Sequence, residues 1–575
     1  MSSNCWFGAI CFVRLDAGAP KFFGFSEFLT ALALMVLAWT IADTRYRFRV
    51  RTAWLPLQGI TFAVVAAVGL LTLLTDLWRA QQWLVPQGNI LTPASWQALL
   101  GAVLLLTFLA WAWFAFIRPP SFGRMNAERY ARTLYGAIVN GSPSELAVIA
   151  DEFGHSATSL IHHAIDRRAL RKIHGDDNER SEAKKKLPKV TGYANDILLL
   201  IADKRFCRAI VSSSPRTAWA LFYEIGKMEK YGVQVDTFAR NIVNEALVNK
   251  DSFLFHETEG YESGLIGYHR PLSQAMFSNY RMVETIGTLL DPDIWEKKTW
   301  DASQWRAYCR VVLMTFRDYV EKDVWSHSFA LYRAKGYIEH AASDLYKIDG
   351  AATSGWDDDV RSRLAVIVDF IKDTVEILDK RGSPDHVRLR IRGQRPNLET
   401  FYDHLAHMIF EVIFSASTVR SPRDLCWYIQ HNAVWMELFG FRRVEGPAGK
   451  IIAFKVRRLL YDAILEMKEF PNFKGARILG YCLNVMGLTL RAGDDYRDTR
   501  ALHKAVLSWT KKRFAWLHAY NPRISEACLV DALSYDEQNH RIVKTYPAGL
   551  RREPSYDYLA VDAAPTQPSG SSSSS

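Results

Sequence analysis

The sequence predicts an all-α protein: three N-terminal transmembrane helices followed by a large multi-helix domain, an array or a bundle. Three observations carry this expectation. Apolar runs occupy residues 22–42 ("FFGFSEFLTALALMVLAWTIA"), 53–75 ("AWLPLQGITFAVVAAVGLLTLLT") and 96–117 ("WQALLGAVLLLTFLAWAWFAFI"). Each is about as long as the ~20 residues a helix needs to cross a bilayer. Beyond residue 118 apolar positions recur at helical spacing, and strand signals are few.

The runs are read as helices because only a helix satisfies its own backbone polar groups in hydrocarbon. The first is longer than a signal-peptide core, with no small-x-small site just behind it, so an uncleaved anchor is expected. Orientation follows from the basic residues. Arg45, Arg47, Arg49, Arg51, Arg118, Arg124, Arg129 and Arg132 would share one side, against Arg14, Lys21 and Arg79 on the other. The basic side is expected to be cytoplasmic. The N-terminus would then lie outside and the chain after residue 118 inside, as in a multi-pass protein of a bacterial inner membrane. The mid-span positions carry no ionisable residue, and Glu27 is shallow, which disfavours a proton relay. Gly59, Ala63 and Ala67 form a small-residue stripe that permits close helix packing, within the chain by default and between copies if the protein forms a homo-oligomer.

The link between the first two spans reads "RYRFRVR", residues 45–51, with arginines in a period of two. The pattern suits an edge strand, a phosphate grip or a topology-setting basic flank. Its position selects the last. Arg45, Arg47, Arg49 and Arg51 are also expected to meet anionic lipid headgroups.

The remaining sequence is read as helices near 125–139, 143–173, 192–212, 215–230, 234–249, 273–290, 301–321, 325–347, 357–380, 397–418, 422–439, 448–469, 474–491, 496–519 and 523–533. Ser142 with Pro143 and Glu145 forms a helix-start signature; Ser214–Pro215 and Ser421–Pro422 with Asp424 repeat the device. Residues 174–191 are expected to be a charged loop, 250–272 an ordered irregular insert, and "VRLRIRGQR", 387–395, an extended connector. The predicted organisation is an outer N-terminus at 1–21, a membrane domain at 22–118, helical regions at 119–350 and 351–552, and a disordered tail at 553–575.

Composition bounds function loosely. Hydrophobic residues make up 49%, charged residues 23%, and the net charge is +10, which favours anionic partners. The seven cysteines are odd in number and none is at C-x-x-C spacing, so neither a disulfide framework nor a thiolate zinc site is expected.

Several polar sets are candidates for chemistry. Glu399, Asp403, His407 and Glu411 recur every four residues, the ligand types of a divalent metal or of acid–base work, with His404 beside them. A metal needs ligands from a second element as well. Glu152 and His155 have the Glu-x-x-His spacing of di-metal bundles but no matching second pair. Arg513 and His518 in "RFAWLH" have an Arg-x4-His spacing that resembles the signature of HEPN ribonucleases, although Phe514 departs from the usual polar choice. That resemblance implies a histidine acting on an RNA hydroxyl and an arginine stabilising charge. "EGPAGKII" mimics a phosphate loop but is incomplete, with Ile451 where a hydroxyl is needed. Lys184, Lys185 and Lys186 belong to a basic run that could meet anionic lipid or, less favoured, nucleic acid.

The sequence therefore points to a non-enzymatic, membrane-anchored helical sensor or scaffold, or a membrane effector that forms a pore by oligomerising. It would have a cytoplasmic partner or ligand and no cofactor. The alternative is a membrane-bound hydrolase, either metal-dependent or a HEPN-like ribonuclease.

Overall fold

The computed structural model describes residues 4–6, 10–14, 21–41, 43–87, 92–117, 119–167, 188–259, 270–293, 299–322, 327–351, 359–382, 400–439, 446–490, 497–548 and 553–563. It is helical almost throughout, and it forms two compact units, Met1–Ala246 and Leu247–Ser575. The division falls well before the 350–355 boundary expected from sequence.

The first unit begins with a small antiparallel sheet of β1 (Asn4–Trp6), β2 (Ile10–Arg14) and β3 (Leu84–Gln87). The apolar runs form α1 (Phe25–Ile41), α3 (Leu57–Ala80) and α4 (Pro93–Ala112), the last continued by a π-helical turn at Trp113–Ile117. Leu57–Ala80 and Pro93–Ile117 are each long and apolar enough to cross a membrane. The first run makes a third span if it is taken with the segment after it, to which it is bent by 106°. Phe28, Val68, Leu100 and Leu104 form the core among these helices. The Asp76 carboxylate accepts the Phe25 amide at 3.0 Å, satisfying a donor at the start of α1.

"RYRFRVR" is neither strand nor loop. It lies in α2 (Thr44–Thr52), whose first amide donates to the Asp43 side chain. In a helix, alternate residues fall on nearly opposite faces while i,i+4 residues align. The period-two arginines therefore split into two pairs. Phe48 and Val50 are buried, and Val50 joins Ala53, Leu57, Trp111 and Ala115 in a second core cluster at the base of the spans.

Then follow α5 (Ala127–Asn140), α6 (Pro143–Gly154), α7 (Ala157–His163), α8 (Lys189–Leu200), α9 (Lys204–Ser213), α10 (Pro215–Lys227) and α11 (Asp236–Val248). The Ser142–Glu145 capping box is present. The single helix expected over 143–173 stops at Gly154, where a Cβ would sit 2.7 Å from the Thr217 hydroxyl. The helix expected over 192–212 breaks at Asp203, whose carboxylate accepts two amides of the next helix. Most of the 174–191 loop lies outside the described residues, but its last residues open α8.

The second unit contains α12 (Phe253–Glu259), α13 (Pro271–Phe277), α14 (Tyr280–Ile286), α15 (Ala302–Glu321), α16 (Phe329–His340) with a 3₁₀ turn at Ser343–Ile348, α17 (Asp359–Arg381), α18 (Phe401–Ala416) and α19 (Arg423–Trp427). A π-helical stretch at Tyr428–Trp435 leads into α20 (Met436–Phe439), then α21 (Pro447–Glu466), α22 (Phe473–Met486), α23 (Arg497–Tyr520) and α24 (Pro522–Ala527). The 250–272 insert thus carries a short helix. Its buried Glu257 accepts the amides of Leu272 and Ser273, a carboxylate on the first turn of α13. Helices α15 and α17 pack together across the 350–355 stretch. Ser421 does not cap as expected; its amide and hydroxyl both donate to Asp349.

The chain closes with an antiparallel sheet of β4 (Leu533–Asp536), β5 (Arg541–Tyr546) and β6 (Ser555–Ala560). The expected disordered tail from 553 therefore supplies a strand before residue 563. The 387–395 connector lies outside the described residues. Cys207, Cys309, Cys426, Cys482 and Cys528 are buried free thiols, and burial pushes Cys426 and Cys482 up to about 12, as expected of small core residues.

Candidate functional site

Each unit brings charged groups together. In the first unit, Arg45 and Arg49 of α2 reach acids at the end of α6. Arg49 Nε and Nη2 both donate to Glu152 at 2.7 Å, a two-point clasp, and its Nη1 donates to the Ala115 carbonyl at 3.0 Å. Arg45 donates to Asp151 at 2.9 Å and lies 3.4 Å from Glu152. The Glu152 side chain is only 3% exposed and that of Arg49 11%. Asn126 and Arg129 complete the joint by donating to the Thr52 and Ala53 carbonyls at 2.7 and 2.8 Å. Glu152 is thus committed to two arginines, and His155 is the capping residue beyond α6. Arg47 and Arg51 take the other face. They are exposed and border a notch with Trp39, Tyr46 and Trp111.

In the second unit, α16, the 3₁₀ turn, α18 and α21 enclose a cleft of about 1160 Å³. Its lining carries six Lys or Arg residues and three acids. Asp403 pairs with Lys455 at 2.5 Å, and Lys335 with Glu339 at 2.6 Å. Asp344 meets Lys347 at 2.8 Å and Arg363 at 3.3 Å. Burial pushes the Asp403 carboxyl up, but hydrogen bonds from Lys455 and Thr400 outweigh it and hold the group below its ordinary value. Asp344 is lowered in the same way, burial opposing and Lys347 and Arg363 prevailing. His404 is buried, with its ring 5.0 Å from Tyr332 and 5.6 Å from His327.

The four-residue stripe is partly gathered here. Asp403, His404 and His407 line the cleft. Glu411 is held by Lys474 at 2.6 Å, with His407 3.9 Å away. Asp403 and Glu411 lie two helical turns apart, about 12 Å along the axis. Each carboxylate faces its own ammonium rather than a shared point. Asp403 also closes the α18 capping box. Glu399 lies outside the described residues. No group of three or more His, Cys, Asp or Glu placed to hold a metal occurs among the described residues.

The other sequence candidates are scattered. Arg513 and His518 share α23, and the His518 ring bonds Ser525 at 2.9 Å and packs on Tyr535. Five residues of separation turn the two about 140° apart on the helix. The phosphate-loop look-alike opens α21, where the Ala448 amide donates to the Asp379 carboxylate at 2.7 Å; a protein acid takes the place of a phosphate. Lys184, Lys185 and Lys186 lie outside the described residues. Gly59, Ala63 and Ala67 are exposed, and a Cβ on Gly59 would meet nothing. The close approach between α1 and α3 is instead at Gly69, where a Cβ would lie 2.6 Å from the Phe28 ring.

Sequence reasoning missed Lys335, Glu339, Lys347, Arg363, Lys455 and Arg458. Lys335 and Glu339 carry an i,i+4 signal for pairing with each other, but nothing in the sequence brings α16 to α18 and α21.

Fold and sites together define an all-α protein with two or three membrane-compatible N-terminal helices, an ion-paired joint beneath them and a polar cleft in its second unit. No family model, curated protein or solved structure matches the chain.

Proposed function

We propose that the protein is a membrane-tethered helical sensor. Its body lies in the cytoplasm, takes up a ligand or partner, and passes the event to the spans. The protein acts without catalysis, and the response is a rearrangement of the spans that lets ions through. The observation that supports this reading is the joint of Arg45 and Arg49 with Asp151 and Glu152. A simple anchor needs only a flexible linker. Here the segment joining α1 to α3 is ion-paired to α6, so displacement of α6 pulls on both helices. The exposed Arg47 and Arg51, beside Trp39, suit the headgroups of anionic lipid.

The test is ion flux from vesicles of mixed neutral and anionic lipid reconstituted with the intact chain. A small-molecule extract of the host cytosol is the probe. Flux that rises with extract in the wild type, and is lost in Arg45→Ala/Arg49→Ala, is the expected result. Vesicles that stay ion-tight with and without extract contradict the effector reading.

A further inference from the structure

We propose that the cleft between α16, α18 and α21 binds a nucleotide, with the flat ring against Tyr332 and Phe454 and the phosphates on Lys347 and Arg458. The inference rests on the sensor reading for its purpose and names the chemical class of its ligand.

Tyr332 and Phe454 come from different helices, line the same cleft and are 45% and 46% exposed, so each offers ring surface to an occupant. The cations stand around them. Arg458 bonds Asp462 through Nε at 3.0 Å and lies over the Tyr461 ring, 5.6 Å from its centre, and a guanidinium has further N–H donors to offer. Lys347 and Arg458 are about half exposed, at 54% and 47%, so their ion pairs contribute little and exchange readily for a doubly charged phosphate. The acids of the lining, Glu339, Asp344 and Asp403, are each already matched by a lysine or arginine and do not leave an opposing field. A purely apolar ligand would cover the half-exposed Lys347 and Arg458 and bring no charge to meet them. A bare phosphate would leave the exposed rings unused.

The test is fluorescence of a trinitrophenyl-ATP probe with the full chain in detergent, competed with ATP, adenosine and pyrophosphate. The expected result is saturable binding displaced by ATP, with adenosine and pyrophosphate each at least tenfold weaker. Arg458→Ala and Phe454→Ala should each weaken ATP tenfold or more. Both side chains are half exposed, so the fold should survive, and unchanged thermal unfolding checks this. Arg132→Ala, on the first unit, should bind as wild type. Absence of saturable binding, wild-type affinity in both cleft variants, or pyrophosphate displacing as well as ATP would each overturn the proposal. None of these outcomes depends on vesicle flux, so failure here leaves the sensor reading separately testable.

Discussion

Glu152→Ala is expected to destabilise the first unit by about 3–5 kcal/mol, the range for removing one partner of a buried ion pair. The loss exceeds what the pair itself contributes. Arg49 keeps its charge, 11% exposed, and loses the two-point carboxylate that compensated its desolvation. Arg45 loses one of its two acids but keeps Asp151. Unfolding of the detergent-solubilised chain, followed by scanning calorimetry, measures the effect. Arg49→Ala/Glu152→Ala should be less destabilised than the sum of its single variants, because the double change leaves no orphaned charge. Arg49→Lys should not restore stability, since an ammonium cannot make the paired Nε and Nη2 bonds. A Glu152→Ala protein that unfolds with the wild type would remove the joint as an energetic link.

Gly69→Val is expected to cost about 1–3 kcal/mol through overpacking, whereas Gly59→Val should leave the stability of the single chain unchanged. The contrast follows from geometry. A Cβ at position 69 enters the Phe28 ring, and that ring lies in the core shared by α1, α3 and α4. A Cβ at position 59 meets nothing. Thermal unfolding of the two variants in detergent separates them. Equal loss in both would return the packing role to the Gly59, Ala63 and Ala67 stripe.

These two predictions show where the sequence was legible. Apolar length identified the helices long enough to cross a membrane, because hydrocarbon leaves the backbone no alternative to a helix. Pro143 and Pro215, which suit the first helical turn, placed the starts of α6 and α10 within a residue; Ser142 caps α6, whereas the Ser214 hydroxyl donates to the Ala147 carbonyl and makes no cap. Features set by distant contacts were not visible. The spacing of four that suggested Gly59, Ala63 and Ala67 says which residues align, not which face meets another helix. The arginines of 45–51 alternate as a strand would, and only the helical conformation of α2 turns them into an inward pair and an outward pair. The final sheet was missed because β4, β5 and β6 are short and each relies on its neighbours. The cleft draws on α16, α18 and α21, separated by dozens of residues, so only Asp403, His404 and His407 could be flagged in advance.

The sensor proposal requires the apolar N-terminal helices to cross the bilayer and hold the helical body on its inner side. Single cysteines at two exposed positions test this most directly, labelled with a membrane-impermeant maleimide: Gln81→Cys, just after α3, and Glu128→Cys, at the start of α5. Gln81→Cys should label in intact cells, and Glu128→Cys only after the membrane is permeabilised. Labelling of position 128 from outside, or of both positions equally without permeabilisation, would contradict it.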